Sequence, residues 1–359
     1  MSPAPQVGVP LAARWTCDID DWPRALAWAP DGRALAVLGA SGRLHLLDGA
    51  RGEPIASVDA HAAGGTALAW SSRRHLLATG GEDGMLRCWS SRLELRLEVD
   101  PSLATRDDGD DAPPRRRSRP WVESMAWSRD GRRLAVAVGR HARVLDEDDT
   151  WAFTSPAQPS TIAALCWHPR APQVTLVGYN GARSYTLDGS ATTGEAEWKG
   201  SFISVAWSPD GRNLAAGMQE GAVHIWQPGK PDLQMSGYDV KVRALAWDSE
   251  SKRLATGGGA LVSVWKFSGA GPAGTRPQLL EGHLLGVTAL AFRHAGLLLA
   301  SGGEDGVTCL HDLTRVDTTP IASAFGIGEV TDLAWDPTGS LVAAAHASGL
   351  ITALARPLR

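Results

Sequence analysis

Two short stretches, CWH at residues 166–168 and CLH at residues 309–311, place a cysteine and a histidine two residues apart. On one face of a β-strand, a thiol and an imidazole at this spacing could reach the same metal ion. Each pair supplies only two ligands, however, and buried cysteine is ordinary core filler. The sequence therefore offers only weak metal candidates and predicts no cofactor. These candidates are Cys166, His168, Cys309 and His311.

Motifs for catalysis do not occur in the sequence. GxSxG, HExxH, CxxCH and a phosphate-cradling glycine loop are all missing. The glycines of ATGGEDG and ASGGEDG fit tight turns between strands, and the acid pairs at residues 82–83 and 304–305 fit the same turns. The sequence therefore predicts a protein that is not an enzyme.

Cysteine usage and charge limit the environment and the partners. The four cysteines are scattered without a CxxC pair, which indicates free thiols in a reducing compartment. The N-terminal segment has no signal-peptide pattern, and no window approaches roughly eighteen uninterrupted apolar residues. A net charge of −4 disfavours general affinity for nucleic acid or anionic lipid. We therefore expect a cytoplasmic protein without membrane contact.

A short motif, Ala or Cys followed by Trp or Phe, recurs along nearly the whole chain. Its aromatic residue falls at Trp28, Trp70, Trp127, Trp167, Trp207, Trp247, Phe292 and Trp335. Successive aromatics are 42, 57, 40, 40, 40, 45 and 43 residues apart, and the one long interval contains the charged stretch 100–120. Within each interval the apolar residues alternate or form short blocks bounded by Gly, Pro, Asp and Ser. This pattern predicts eight repeated units of short β-strands.

Each unit is predicted to contain four antiparallel strands joined by tight turns. In the fifth unit the strands are expected at 204–207, 213–216, 223–226 and 232–237, and the turn SPDG at 208–211 joins the first two. Proline presets φ in such a turn, and glycine tolerates positive φ. A single sheet of this kind has two apolar faces and two open edges. Radial stacking of the sheets would bury the faces and leave only short edges.

These features resemble the WD-repeat (WD40) β-propeller family. The resemblance rests on the period of roughly 40 residues, the four strands per unit and a Trp that ends the third strand in several units. It implies an all-β fold and a network of Ser or Thr, His, Asp and Trp that pins a blade. The second unit carries His61, Thr79, Asp83 and Trp89, and the seventh carries His283, Ser301 and Asp305, with His311 in place of the Trp. Because most other units lack the His and the Asp, we expect their blades to rely on packing.

Eight first strands predict a single propeller of eight four-stranded blades. The eighth unit ends its third strand at 351–354 and leaves too little chain for a fourth strand. We predict that the N-terminal segment 13–18 supplies this strand and closes the ring. Seven blades with a divergent flanking unit is the alternative. The expected organisation is an N-terminal tail at 1–11 and a propeller at 12–356.

Strand direction predicts which loops share a face of the propeller. If the first strand of each unit descends, the SPDG-type turns lie at the bottom. The loops before each first strand and those between second and third strands then lie at the top. The bottom turns are nearly identical between units, whereas the top sequences differ, which favours a binding surface at the top. The candidate partner-binding residues there are Trp22, Arg24, Trp121, Glu123, Arg140, Tyr179, Phe202, Lys241, Arg243 and Glu329. Trp22 and Trp121 could instead simply cap a blade edge.

The stretch 100–120 runs from acidic to basic around a Pro-Pro pair and has little apolar content. We predict a charged flexible loop inserted in the propeller on its top face. It is either a tolerated insertion whose charge blocks pair or stay solvated, or an arm that captures a partner.

The sequence predicts a non-enzymatic, monomeric scaffold that binds a protein partner through the top face. The alternative is a metal- or small-ligand-binding accessory protein that partners a GTPase of the metal-chaperone type. A nucleic-acid partner would rest only on the arginine run at 115–119, and the net charge disfavours it.

Overall fold

Eight antiparallel sheets of four strands stand in a ring. The computed structural model describes residues 8–103, 119–187, 195–269 and 271–355. Two strands, β1 (Val9–Pro10) and β2 (Ala13–Asp18), precede the first complete blade. Within these ranges no helix is long and apolar enough to cross a membrane.

The blades follow one another in chain order, and each runs from an inner strand to an outer strand. Blades 1 and 2 contain β3 (Pro23–Trp28), β4 (Ala34–Gly39), β5 (Arg43–Asp48), β6 (Pro54–Asp59), β7 (Gly65–Trp70), β8 (Leu77–Gly81), β9 (Leu86–Trp89) and β10 (Leu95–Val99). Blades 3 and 4 contain β11 (Val122–Trp127), β12 (Leu134–Val138), β13 (His141–Leu145), β14 (Trp151–Thr154), β15 (Ala164–Trp167), β16 (Gln173–Gly178), β17 (Gly181–Thr186) and β18 (Glu195–Ala196).

The second half of the ring repeats this arrangement. Blades 5 and 6 contain β19 (Phe202–Trp207), β20 (Leu214–Met218), β21 (Ala222–Trp226), β22 (Leu233–Ser236), β23 (Ala244–Trp247), β24 (Arg253–Gly257), β25 (Val262–Lys266) and β26 (Gln278–Leu280). Blades 7 and 8 contain β27 (Val287–Phe292), β28 (Leu298–Gly303), β29 (Val307–Asp312), β30 (Ala322–Phe325), β31 (Val330–Trp335), β32 (Leu341–His346) and β33 (Leu350–Ala355). The outer strand of blade 8 is β2.

The N-terminal strand closes the ring as the sequence predicts. β2 pairs antiparallel with β33, with Thr16 opposite Thr352, and this pairing completes eight blades. Trp15 is buried against the edge of Trp28 and donates its indole hydrogen to the carbonyl of Gly49 in blade 1. β1 adds a short parallel strand to the outer edge of blade 7, beyond the four strands expected there.

The repeated turn after the inner strand has the predicted backbone in blades 1, 3, 5 and 8. Gly32, Gly131, Gly211 and Gly339 have φ between 68° and 71°, a region that favours glycine. Each of these glycines donates its amide hydrogen to the backbone carbonyl of the residue three positions earlier, with nitrogen and oxygen 2.8 Å apart. The second strand of every blade is almost entirely buried, which explains apolar runs such as LAVAV in β12.

The repeated tryptophan ties each blade to the one before it. In six blades its indole N–H donates to the carbonyl of the residue that precedes the aromatic of the previous blade. These bonds are Trp28 to Ala334, Trp70 to Ala27, Trp127 to Ala69, Trp167 to Ala126, Trp247 to Ala206 and Trp335 to Ala291, at 2.8–3.3 Å. Trp207 donates instead to the Thr175 hydroxyl at 2.9 Å, and Phe292 has no donor to offer. The core accordingly lies between blades, as a series of separate apolar clusters.

Candidate interaction surface on the top face

The top face is the end of the ring at which every inner strand begins. It is formed by the loops from each outer strand to the next inner strand and by the loops between second and third strands. The described parts of these loops lie at 19–24, 40–42, 60–66, 82–85, 100–103, 119–123, 139–141, 155–163, 179–181, 197–203, 219–221, 237–243, 258–261, 281–287, 304–306, 325–331 and 347–349.

Large apolar side chains are exposed mainly on this face. The described residues include sixteen such side chains, and eleven lie at the top face, ten in its loops and one at the upper end of β30: Trp22, Leu103, Trp121, Tyr179, Trp198, Val240, Leu261, Leu284, Leu285, Ile327 and, in β30, Phe325. Only Val316 lies in a bottom loop, and the other four lie on the outer edge of the ring. Contiguous exposed apolar surface on a folded protein commonly marks an interaction site.

Three of the predicted aromatic anchors are exposed. Trp22, Trp121 and Tyr179 have 47%, 46% and 47% of their surface accessible to solvent. They belong to blades 1, 3 and 4, so they spread over one half of the face. Exposed Trp and Tyr are the side chains that most often dominate binding energy at protein interfaces.

A charged cluster lies at the inner rim of blades 1 to 3. Arg24 is exposed, and its guanidinium is 3.9 Å from the Glu82 carboxylate. Glu123 is half-buried, and its pKa is raised above the usual value, first by burial and second by the negative charge of Glu82. Arg24 and Glu123 are among the predicted partner-binding residues, whereas the sequence pattern predicts only a turn at Glu82.

The remaining predicted residues differ in their accessibility. Arg140 and Arg243 are exposed, and Arg140 also donates to the carbonyl of Gln158. Lys241 and Glu329 are half-buried. Phe202 is only 1% exposed, because its ring packs inward against His224 and Trp226 of blade 5. Phe202 therefore supports the top loops from beneath, and we leave it out of the proposed interface.

Sequence reasoning missed the apolar half of the surface. Val240, Leu261, Leu284, Leu285, Phe325 and Ile327 are between 40% and 72% exposed and lie on consecutive top loops of blades 6 to 8. We call these six residues the apolar sector. A sequence signal did exist, since adjacent leucines at 284–285 interrupt a loop that otherwise contains glycine, histidine and glutamate.

Polar networks below the loops hold several of them in place. In blade 2, His61 Nε2 is 2.9 Å from Thr79 Oγ1 and His61 Nδ1 is 2.9 Å from Asp83 Oδ1, while Trp89 donates to the Thr79 hydroxyl at 2.9 Å. Arg87, which sequence reasoning missed, donates to Asp83 at 2.8 Å. The four residues that the family resemblance implies, His61, Thr79, Asp83 and Trp89, are therefore connected by hydrogen bonds in the structure.

Blade 7 has a weaker version of this network. His283 lies 2.8 Å from Ser301 Oγ and 3.3 Å from the Asp305 carboxylate. His311 takes the position of the Trp, 3.3 Å from the Ser301 hydroxyl, and burial lowers the pKa of His311 to about 3. The Asp305 carboxylate also accepts the amide hydrogen of Leu284 at 2.7 Å, which fixes the loop that carries Leu284.

Two further blades contain networks where the sequence predicts packing alone. In blade 6, the Tyr238 hydroxyl is 2.7 Å from the Thr256 hydroxyl and accepts the indole hydrogen of Trp265 at 2.9 Å. In blade 4, Gln158 donates to the Tyr185 hydroxyl at 2.9 Å. Blades 4 and 6, which lack the His and the Asp, therefore hold their top loops by hydrogen bonds in addition to the packing that the sequence predicts.

The four weak metal candidates lie in two separate blades. Cys166 and His168 belong to blade 4, and Cys309 and His311 to blade 7. Burial raises the pKa of both thiols to about 12, so that both are protonated at neutral pH. His168 lies against the Trp207 ring and 3.2 Å from the carbonyl of Gly211. Over the described ranges, no group of three or more potential ligand residues comes together.

A shallow groove of about 370 Å³ opens on the top face of blade 4. Its lining residues are Tyr179, Asn180, Arg183, Glu197, Trp198 and Lys199. Trp198 stacks on His224 with ring centroids 4.4 Å apart, and His224 stacks in turn on Trp226. The indole of Trp198 therefore also has a structural role in blade 5.

The predicted loop at 100–120 is only partly described. Residues 104–118 lie outside the described ranges, and its character as a flexible loop stays a prediction. Its two ends are joined by an ion pair between Arg119 and Asp100, with nitrogen and oxygen 2.8 Å apart.

Comparison with known proteins agrees with this architecture. The family model of the WD domain, G-beta repeat, matches residues 193–227, 229–266 and 274–312, and the model of the anaphase-promoting complex subunit 4 WD40 domain matches residues 17–73. Both family models are WD40 models, and the resemblance to the WD-repeat β-propeller family that the sequence pattern indicates is therefore confirmed over these segments. Members of this family are generally non-enzymatic scaffolds for protein interactions.

Curated relatives match about half of the chain or less. The mouse F-box-like/WD repeat-containing protein TBL1X is 27% identical over 203 residues, which cover 52% of this chain and 36% of the relative. THO complex subunit 3 of Arabidopsis thaliana is 24% identical over 204 residues, 54% of this chain and 63% of the relative. Cell division cycle 20.1, cofactor of APC complex, from the same plant, is 31% identical over 125 residues, 32% of this chain and 25% of the relative. The chain thus spans less than two thirds of each of these relatives.

A solved structure matches nearly the entire chain. The crystal structure of the computationally designed Ika8 protein superposes with a TM-score of 0.77 and 17% sequence identity, covering 96% of this chain and 99% of that one. At this level of identity the likeness shows the fold alone.

Proposed function

We propose that this propeller is a protein-interaction scaffold that binds its partner through the top face. The observation that supports the proposal is the unequal distribution of large exposed apolar side chains among the described residues, where eleven of sixteen lie at the top face and one in a bottom loop. A face with aromatic anchors and interspersed charges has the composition of a protein interface.

The relatives are consistent with such a role. Two of them are named as a complex subunit and as a cofactor of a complex. By analogy, we propose that this chain also acts by joining other proteins, as a monomeric cytoplasmic platform without enzymatic activity. The analogy supplies the kind of role and does not identify a partner.

Affinity capture with matched variants tests the proposal. A top-face variant would combine Trp22→Ala, Trp121→Ala, Leu285→Ser and Ile327→Ser, all at exposed positions. A control variant would change exposed residues elsewhere, combining Ile55→Ser, Arg132→Ala, Arg212→Ala and Val316→Ser. We expect wild type and control to capture the same stoichiometric partner and the folded top-face variant to lose it. Capture by all three proteins alike would overturn the proposal.

A further inference from the structure

The loops that carry the apolar sector form one continuous surface. Gly258 packs against the Tyr238 ring, which brings the loop with Val240 to the loop with Leu261. The Val287 amide donates to the Gly259 carbonyl at 2.9 Å, and this bond joins the latter loop to the loop with Leu284 and Leu285.

The same connection continues into blade 8. The Glu304 amide donates to the carbonyl of Gly286 at 2.8 Å, and the Gly326 amide donates to the carbonyl of Gly306 at 2.9 Å. The second bond links blade 7 to the loop that carries Ile327. Five successive loops are therefore hydrogen-bonded or packed edge to edge, and their exposed side chains lie on one surface.

Acidic residues accompany this apolar surface. Asp239, Glu281 and Glu304 are exposed and Glu329 is half-buried, and within the described ranges none of the four forms an ion pair. The Glu304 carboxylate lies directly against Gly286, so close that a Cβ atom at this position would be 3.2 Å from the carboxylate. Glu304 is thus next to the loop of Leu285.

Basic residues occur at only one end of the surface. Lys241 and Arg243 lie in the loop that leads into blade 6, whereas the loops of blades 7 and 8 carry Glu281, Glu304 and Glu329. Unpaired carboxylates around exposed Leu, Phe and Ile side chains favour a partner of opposite charge with apolar side chains of its own. A purely apolar partner would desolvate these carboxylates without compensation.

Resting on the proposed function, we infer that the apolar sector binds a segment of the partner protein in which Leu-, Ile- or Phe-type side chains are flanked by Lys and Arg. The apolar side chains of the segment contact Leu284, Leu285 and Ile327, and its cations pair with Glu281, Glu304 and Glu329. The hydrogen bond from Leu284 to Asp305 holds this loop in position before the partner arrives.

Synthetic peptides serve as probes for this inference. The first is a fluorescent amphipathic helix of leucine and lysine, the second replaces every lysine with glutamate, and the third replaces every leucine with serine. Fluorescence anisotropy with the full chain, at low and at high salt, should show binding of the leucine–lysine peptide alone. Its affinity should fall with added salt because the ion pairs are exposed.

Variants of the chain show whether the peptide binds at the sector. Leu284→Ser/Leu285→Ser and the triple variant Glu281→Gln/Glu304→Gln/Glu329→Gln should each weaken binding at least tenfold, and the triple variant should also lose most of the salt dependence. The matched controls are Ile55→Ser/Val316→Ser and Glu53→Gln/Glu147→Gln/Glu250→Gln, whose carboxylates are exposed elsewhere on the chain. These controls should bind as wild type does.

Three results would overturn the inference: no binding of the leucine–lysine peptide, equal binding of the glutamate peptide, or equal losses in sector and control variants. The proposed function fails separately, since it depends on partner capture by the whole top face. A partner that the top-face variant loses but both sector variants retain would leave the scaffold role intact and refute only this inference.

Discussion

At the scale of single residues, the position nine residues before the repeated aromatic carries a hydrogen-bonding side chain beneath the top loop in four blades. It is histidine in blades 2 and 7, where His61 and His283 reach a Thr or Ser hydroxyl. Tyr238 has this position in blade 6 and offers its own hydroxyl, and Gln158 has it in blade 4. His and Tyr therefore reach the same Thr or Ser hydroxyl of the second strand in blades 2, 6 and 7, whereas Gln158 reaches the Tyr185 hydroxyl of the third strand, and in each case a buried polar group finds a partner.

The network of blade 2 predicts a large cost for removing its tryptophan. Trp89→Ala would leave a cavity and remove the indole hydrogen bond to Thr79, and we expect a loss of about 3 kcal/mol or more in the free energy of unfolding. Trp121→Ala is the control, because Trp121 is 46% exposed and its loss should cost less than about 0.5 kcal/mol. Denaturant titration of both variants measures the difference, and equal effects would contradict the assigned role of Trp89.

Asp332 predicts a pH dependence at the junction between blades 8 and 1. Its carboxylate accepts the amide hydrogens of Leu26 at 2.9 Å and Leu333 at 2.8 Å, yet burial raises its pKa to about 6. This pKa is higher than the pKa of Asp332 in the unfolded chain. At a pH between the two pKa values, the native state therefore binds more protons than the unfolded state. The contribution of Asp332 to stability is therefore present at low pH and lost as the pH rises through about 6.

Substitution with asparagine isolates this contribution. Asp332→Asn should become more stable relative to wild type as the pH rises from about 4 to about 7. Asp336→Asn should do the opposite, but at lower pH: it should lose stability relative to wild type as the pH rises from about 2 to about 4. The reason is that hydrogen bonds from Thr338, Leu341 and Ser340 outweigh burial and lower the pKa of Asp336. Thermal unfolding of the three proteins from about pH 2 to about pH 7 checks both signs, and an Asp332→Asn profile parallel to that of wild type would refute the assignment for Asp332.

At the scale of the strands, the inner strand of seven of the eight blades is hydrogen-bonded to the previous blade through the Trp at its lower end. In six blades this Trp donates to a backbone carbonyl of the previous inner strand, and Trp207 donates to the Thr175 hydroxyl. Blade 7 has Phe292 at this position and lacks the bond, so the ring tolerates one missing donor. The repeat spacing could locate these aromatics, but it could not show their hydrogen-bond partners, because these lie on a different blade.

Trp127→Phe tests the strength of one such connection. It removes the indole hydrogen bond to the carbonyl of Ala69, which is 3.1 Å away, while most of the aromatic packing remains. We expect a loss of about 1 kcal/mol in the free energy of unfolding, as for a typical hydrogen bond. The reference is Phe292→Leu, which removes packing but no hydrogen bond. A Trp127→Phe variant as stable as wild type, by chemical denaturation, would show that the indole N–H does not contribute.

The sequence could predict features that depend on residue spacing, but it could not predict features that depend on the direction of a side chain. Blade number, turn geometry and ring closure depend on spacing and chain length, and all three are confirmed. The surface depends on the direction in which each loop side chain points. The sequence therefore could not distinguish buried Phe202 from exposed Trp22, and it gave no weight to Leu284 and Leu285. It also missed Tyr238, because a tyrosine does not match the histidine of the family pattern.

At the scale of the whole molecule, the two faces of the ring have different constraints. The bottom turns carry a glycine at positive φ in blades 1, 3, 5, 7 and 8, and an indole hydrogen bond to the previous blade recurs in seven blades. The top loops are held by networks that vary from blade to blade, and within the described ranges the top face carries most of the exposed large apolar side chains. A closed ring with one uniform and one variable face can acquire a specific partner by loop changes alone, without altering the blades.

Ring closure by β2 predicts the effect of truncation. Deletion of residues 1–18 would remove β1 and β2 and leave β33 as an unpaired edge strand. Trp15 would also be lost from the junction with blade 1, so we expect a lower melting temperature and self-association through the exposed edge. Deletion of residues 1–7 is the control, since it leaves both strands intact. Calorimetry and light scattering measure the two effects, and a synthetic peptide of residues 9–20 should partly restore the monomer. A truncated chain that stays monomeric with unchanged melting would mean that the ring does not depend on its N-terminal strand.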